Sequence, residues 1–480
     1  MKPRVRFAVV LMTLLLALSP LSAVRPVAAA APSSVRYFGE TGHNIATRIK
    51  SFYEANGDLR IFGLPLTEVI TENGMQVQYF ERARFELHPE LPNAFFVSLT
   101  QVGRGLVGGR ASGAFASVAA KSSASTMYFT QTKHTLQDTF LQFWSSYGGL
   151  PVFGFPLSEP FQEVNYSDGN SYLVQYFERA RMELHPTAPA AYRVQLGLLG
   201  RQLLDNSAVP TSSRKAVLPI TLLGTATTGY YGSFSERINN IARGAGRMNG
   251  KVVQAGQVFS FGNNLGSATS DDGFVDGYAI VGGRLQKVTG GGLCQVSTTM
   301  YRAVFYAGLG IVDRTPHTYM INFYENIKGF DATVFTPQVD FKWRNDTAGP
   351  VYVAASTNPN QATVTFSLYG WNDGRTSQMV GPFESKVVQP GLSNWQFDSS
   401  LPYGGTRQIV HGRPGSDIAM QRIVTAANGA VLHHDILPSH YSPWADFFLY
   451  GPGVTVPYGV NRVPGDANPN IAPAIGKTHP

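Results

Sequence analysis

The sequence predicts a multidomain α+β protein. It should hold two small duplicated α+β modules, a central α+β domain whose cysteine-led helix packs on an antiparallel sheet, and a β-rich C-terminal region. Three observations carry this reading. A block of 13 residues recurs almost unchanged 97 residues later. Three consecutive glycines lead into an amphipathic helical pattern that contains the only cysteine, Cys294. The last third of the chain alternates apolar and polar residues between turns marked by Gly, Pro and Asn. Composition agrees: 50 glycines and 30 prolines in 480 residues supply many turns, and 43% hydrophobic against 14% charged residues argues for packed domains over a disordered chain.

Residues 1–30 read as a secretion signal. Lys2, Arg4 and Arg6 precede the apolar run Phe7 to Leu18, and Ala28 to Ala31 offer small-residue cleavage sites. No cysteine follows that run to take a lipid, and no later segment is long and apolar enough to span a bilayer. The expected location is secreted or extracytoplasmic and associated with the envelope, with membrane contact only through an uncleaved signal. The formal charge is +7, of which Lys2, Arg4, Arg6 and Arg25 supply four. The weak balance on the remainder excludes nucleic acid as an expected partner.

Two repeat modules follow, at 37–108 and 127–204, joined by a Ser-, Ala- and Gly-rich linker at 109–126. Val77-Gln78-Tyr79-Phe80-Glu81-Arg82-Ala83-Arg84 returns as Val174-Gln175-Tyr176-Phe177-Glu178-Arg179-Ala180-Arg181. Upstream, Phe62-Gly63-Leu64-Pro65 returns as Phe153-Gly154-Phe155-Pro156, displaced by 91 residues. The six extra residues of the second copy belong near Tyr166 to Ser171, at a hairpin tip. A helical pattern opens each copy (Ile45, Ile49, Phe52, Tyr53; then Thr139, Phe140, Phe143, Trp144), and the Gly-Pro tetrad ends it. The shared Arg and Glu residues are open to two readings, cross-strand packing partners or a ligand site. The pattern resembles LGFP-like repeats of secreted bacterial proteins, which implies binding to a cell-wall polymer such as peptidoglycan.

The central domain is expected over 218–355. A helix should run from about Ser233 through Met248 and stop at Asn249-Gly250. Short strands are expected at Lys251 to Val253 and Gln257 to Phe261, and another at Phe274 to Val281. Val296, Met300, Ala303, Val304 and Ala307 then share one helical face, which puts Cys294 in the first turn of a helix ended by Gly308 or Gly310. A lone thiol is either a small buried apolar residue or a reactive group. A helix start favours the thiolate. Gly291, Gly292 and Leu293, together with Gln295, are candidate oxyanion donors or turn residues. His317 and Asp331 follow on segments that read as strands, giving the order of a papain- or transglutaminase-like triad: nucleophile, base, orienting carboxylate. The bland reading is also open, with Cys294 packed against a neighbour and His317 and Asp331 as turn residues. One cysteine with one nearby histidine lacks the repeated ligand pattern of a zinc site, so neither a metal nor another cofactor is expected.

Five separated blocks in this region resemble the VanW family. They are Gly256 to Phe261, Gly290-Gly291-Gly292-Leu293-Cys294-Gln295-Val296-Ser297-Thr298-Thr299-Met300-Tyr301, Ala307 to Leu309, Arg314-Thr315-Pro316-His317, and Asp331 to Val334. The family is named for vancomycin-resistance gene clusters, which implies an association with the bacterial envelope and no particular activity.

The C-terminal region, 356–460, reads as β-strands, with a hairpin about Asn428-Gly429. Residues 461–480 read as a disordered tail. The function expected from all of this is a cysteine-dependent acyl transfer (amidase, peptidase or transpeptidase) on peptidoglycan peptide. The alternative is a non-catalytic, cell-wall-binding or structural envelope protein.

Overall fold

The computed structural model describes residues 34–466 except 282, 283, 322 and 325. The expected signal at 1–30 and the last part of the expected tail, 467–480, lie outside the described residues.

The two modules repeat one element order. In the first, a hairpin (Val35–Phe38, His43–Ala46) leads into helices Thr47–Ala55 and Asp58–Phe62. An antiparallel sheet then takes strands Ile70–Glu72, Met75–Tyr79, Arg84–Leu87 and Val97–Leu99. The second has the same order, from the hairpin Thr126–Phe129/His134–Gln137 to strand Val194–Leu196. Within each repeated block the Phe-Glu-Arg-Ala tetrad is a tight turn, closed by Phe80 N–H to Ala83 O and Phe177 N–H to Ala180 O, both 2.8 Å. The extra residues of the second copy fall at the hairpin tip between Phe161–Val164 and Ser171–Tyr176.

The modules trade their final helices. Helix Val102–Val107 follows the first sheet and lies on the second module; helix Leu199–Asp205 follows the second and lies on the first. The approach is backbone to backbone. A Cβ on Gly103 would sit 2.0 Å from Phe177 O, and one on Gly200 would sit 2.1 Å from Phe80 O. Arg104 bonds Glu178 at 2.6 Å and Arg201 bonds Glu81 at 3.1 Å. Arg82 donates to Leu196 O and Arg179 to Leu99 O. Glu81, Arg82, Glu178 and Arg179 therefore staple one copy to the other, while Arg84 pairs with Glu86 and Arg181 with Glu183 inside their own copy; the common core includes Phe62, Phe80, Phe85, Phe153 and Phe177. The Ser/Ala/Gly-rich segment is no free spacer: Phe115 is buried against Val174 and Tyr176.

The central domain is built on an antiparallel sheet of β1 (Thr221–Gly229), β2 (Val252–Val253), β3 (Val351–Asn358) and β4 (Thr363–Gly370), in the order β1-β4-β3-β2. Helices α1 (Ser235–Met248) and α2 (Leu293–Tyr306) pack on it. Residues 363–370, expected within the β-rich C-terminal region, form β4 in the middle of this sheet, so the central domain extends past 355. Its side chains Val364, Phe366 and Leu368 are fully buried against α2, which explains the strict alternation.

The strands expected to carry His317 and Asp331 do not form. Beyond Gly310–Asp313 the chain is irregular up to Lys342–Arg344. The structure thus shows the expected cysteine-led helix on an antiparallel sheet, faced by a loop in place of the expected strands, and does not bear out a papain- or transglutaminase-like core. Hydrogen bonds from helix side chains replace the ladder that a strand would have supplied.

In the C-terminal region Thr376–Val388 pairs with Gly415–Thr425, which pairs in turn with Val431–Ile436 about the expected Asn428-Gly429 turn. A second sheet contains Asn394–Phe397, flanked in parallel by Phe447–Tyr450 and Asn461–Asp466. Residues 461–466, expected in a disordered tail, are thus a paired strand. Met420 and Leu437 are buried in the central core, so this region is joined to the central domain by packing. Among the described residues no helix is long and apolar enough to cross a membrane.

Candidate active site at Cys294

The glycine run sets the start of α2. Gly290 and Gly292 have φ of 83° and 113°, in the left-handed region that side chains resist. Gly291 allows a close approach, since a Cβ there would lie 2.5 Å from the backbone of Gly277. Leu293 N–H turns back to Gly290 O and Gly291 N–H to Val288 O, both at 3.2 Å. The amides of Gly292 and Cys294 have no partner among the described residues. Of the expected oxyanion donors, Gly291 and Leu293 are thus committed to the turn, and Gly292 is free. Gln295 is fully buried. Its amide nitrogen donates to Thr228 Oγ1 (3.0 Å) and Gly229 O (2.6 Å), so both hydrogens are spent on β1. The usable pair of donors is Gly292 and Cys294.

The polar side of α2 holds the opposing loop. Ser297 Oγ and Thr298 Oγ1 both donate to Ala332 O (2.6 and 3.1 Å), and Thr298 Oγ1 accepts from Ala332 N–H. One turn on, Arg302 donates to Phe330 O, Tyr324 O and Asn326 Oδ1. These bonds bring Thr333 and Val334 to the thiol: Cys294 Sγ lies 3.3 Å from Thr333 Oγ1 and 3.4 Å from Val334 O.

Asp331 is the hub of the loop. Its Oδ2 accepts from the ring Nδ1 of His317 (2.5 Å) and from the His317 backbone N–H (2.9 Å). Its Oδ1 accepts from Tyr441 Oη (2.6 Å) and lies 3.3 Å from Arg314. Nδ1 being taken, Nε2 is the ring nitrogen left over, and the imidazole and the Cys294 thiol bias each other's protonation. The structure therefore gathers Cys294, His317 and Asp331 into one constellation, with the carboxylate buried and the imidazole largely so.

Electrostatics follow from this packing. Burial alone would push the thiol up; the His317 imidazole, aided by the Thr333 hydroxyl, more than reverses that and brings Cys294 down to about 7. Burial would pull the imidazole down; Asp331 and the thiol raise it to about 10. Against its own burial, Asp331 is held well below the usual carboxylate range by His317, Arg314 and Tyr441. The arrangement favours a thiolate–imidazolium pair at neutral pH.

Several residues at the site escape sequence reasoning. Arg314 stands in a motif block and could have been suspected. Tyr441 is 110 residues from the carboxylate it bonds, and nothing in its local sequence marks it. Arg237, on α1, also reaches the start of α2, where it donates to Gln295 Oε1 at 2.6 Å. The C-terminal histidines have other partners: His433 bonds Asp346, His434 bonds Gln421 and His440 bonds Asp417.

The fold and site define a class: an α+β domain with a cysteine at a helix start, faced by a histidine–carboxylate pair. Residues 236–368 match the family model described as VanW like protein. An uncharacterized protein of Bacillus subtilis, YoaR, is 34% identical over 143 residues, which is 30% of this chain and 46% of that protein. The vancomycin B-type resistance protein VanW of Enterococcus faecalis is 33% identical over 125 residues, 25% of this chain and 45% of that protein. The central region is thus similar to the VanW family, and the chain spans less than half the length of these curated relatives. A solved G5 domain of an IgA1 protease is 17% identical and covers 17% of this chain and 96% of its own, at a TM-score of 0.11, too low to assign a fold.

Proposed function

We propose that the protein is an exported, envelope-associated cysteine acyl-transfer enzyme, an amidase, peptidase or transpeptidase acting on peptidoglycan peptide, with the paired modules binding the wall polymer. One observation carries the reading: Asp331 takes His317 Nδ1, and the imidazole it holds lowers the pKa of the Cys294 thiol. The thiolate attacks the acyl carbon, and the Gly292 and Cys294 amides receive the developing oxyanion. As the thioester forms and the C–N bond breaks, His317 gives its proton to the leaving amine. Water or an acceptor amine then attacks the thioester, passes its proton to His317 and frees the thiolate. The extracytoplasmic, envelope-associated location and the wall substrate rest on the signal-like segment, the repeat resemblance and the resistance-associated name of one relative.

The test is incubation with purified peptidoglycan, comparing wild type with Cys294→Ala for both binding and released or cross-linked peptide. Products from wild type and none from the variant, with binding equal in the two, is the expected result. Identical behaviour of the two proteins would leave the non-catalytic wall-binding reading in its place.

A further inference from the structure

Among the described residues, several arginines with buried side chains pair with a carboxylate, while Arg302 and Arg237 do not. Arg181 pairs with Glu183 at 2.5 Å, Arg422 with Asp435 at 2.7 Å and Arg314 with Asp331 at 3.3 Å. Arg302 is satisfied by two carbonyls and an amide oxygen. Arg237 is only 7% exposed, and its described hydrogen bonds go to neutral oxygens, Ser233 Oγ (2.7 Å) and Gln295 Oε1 (2.6 Å). Among the described residues no carboxylate pairs with it. The group stays cationic at neutral pH, although burial lowers it to about 10. A guanidinium carries five N–H donors, of which these two bonds spend two. A buried charge without an opposite one is costly, and an anion supplied from outside would offset that cost.

Location selects the anion. The stem of Arg237 lies against Gly292, where a Cβ would come within 2.9 Å of its Cγ. Its guanidinium packs 4.0 Å from the Phe323 ring centroid, and its titratable neighbours are the Cys294 thiol and the Tyr324 phenol. An anion held there is next to the unpaired amides of Gly292 and Cys294, hence next to the carbon the thiolate would attack.

We propose that Arg237 is the anion-recognition residue of the Cys294 site, and that the acyl substrate carries a carboxylate close to the carbonyl under attack. This rests on the acyl-transfer reading and adds the substrate's charge to it. The planar guanidinium suits a carboxylate in two-point contact, and Gln295, locked to β1, fixes its orientation.

Two alkylating probes of nearly equal size test the proposal on the full chain. Iodoacetate and iodoacetamide both lose iodide to the thiolate sulfur and leave a thioether; they differ in charge. In wild type the ratio of iodoacetate to iodoacetamide rates at Cys294 should exceed that of glutathione thiolate. In Arg237→Gln the ratio should fall about tenfold, the worth of one charge-assisted hydrogen bond, and Arg237→Lys should restore part of it. The pH profile with iodoacetamide alone reports the triad: its midpoint should be near 7 and should move up in Asp331→Asn. A ratio unchanged in Arg237→Gln, with that midpoint shift present, overturns the role of Arg237 and leaves the triad standing. A midpoint at the ordinary thiol value, unmoved by Asp331→Asn, overturns both. Should Arg237→Gln fail to fold, wild type decides the matter: succinate but not succinamide should protect Cys294 from iodoacetamide, and equal protection or none overturns the proposal.

Discussion

Histidine–carboxylate pairs are buried in two regions of this molecule, and they do different work. In the modules, His43 lies 3.5 Å from Glu68 and His134 lies 3.2 Å from Glu159. Those glutamates also take backbone amides, Asn44 N–H and Thr135 N–H at 2.8 Å, and Glu68 accepts from Tyr352 Oη of the central domain. They are joints. In the central domain, His317 and Asp331 make a tighter pair at 2.5 Å, and the one thiol of the chain interacts electrostatically with that imidazole. The chemistry of the pair is the same in both regions. On the proposed reading, what converts a joint into an acid–base device is a thiol coupled to the imidazole and a helix start with amides unpaired among the described residues.

Mutations can break that contrast, and the largest effect is expected at Asp331. Asp331→Asn leaves Arg314 and a raised imidazole without their anion, so stability should fall by about 3–5 kcal/mol, as for other broken buried pairs. Alkylation of Cys294 near pH 7 should slow at the same time, its midpoint rising toward the ordinary 9.0 of a thiol. The stability gap between wild type and variant should depend on pH in a definite direction. The carboxylate is lowered by folding, so its contribution is full above its ordinary 3.8 and is lost as pH falls below that. Chemical denaturation at several pH values measures it; a gap that widens in acid would contradict the burial of the ionised carboxylate.

Gly292→Ala comes next. With φ at 113° and Arg237 Cγ within 2.9 Å of the new methyl, it should cost about 1–3 kcal/mol. It should also shift the start of α2, which the alkylation rate of Cys294 would register. Glu159→Gln probes the other side of the contrast. It should cost about 1–3 kcal/mol by weakening the bonds to His134 and Thr135, yet leave the pH profile of Cys294 in place. A shifted profile would mean that the modules and the thiol site are coupled. The smallest effect should come from Tyr441→Phe, at about 1 kcal/mol. It removes one of the bonds that hold Asp331 anionic, so the thiol midpoint should rise by a fraction of the Asp331→Asn shift.

The local elements were legible where a period or a turn residue acts within a few positions. Helix α2 starts at the glycine run and α1 stops at Asn249-Gly250, both as the spacing requires. The hairpin about Asn428-Gly429 and the tip insertion of the second module also lie where the residues put them. The loop that carries His317 and Asp331 was misread as strands because short β-branched runs such as Ala332-Thr333-Val334 look alike whether a ladder or a helix side chain satisfies their backbone. Segment 461–466 looked free because its partner, Asn394–Phe397, is more than sixty residues away.

By itself the sequence determined the duplication, the cysteine at a helix start and the order cysteine, histidine, aspartate, since each depends on residue identity and near spacing. Only the tertiary structure decided what Glu81, Arg82, Glu178 and Arg179 of the repeats do, because each has a partner in the other copy. It alone decided which amides stay unpaired at the thiol and which are used up in the turn. And it alone brought Tyr441 to Asp331 and Arg237 to Gly292: contacts closed by packing between distant segments leave no local pattern to read.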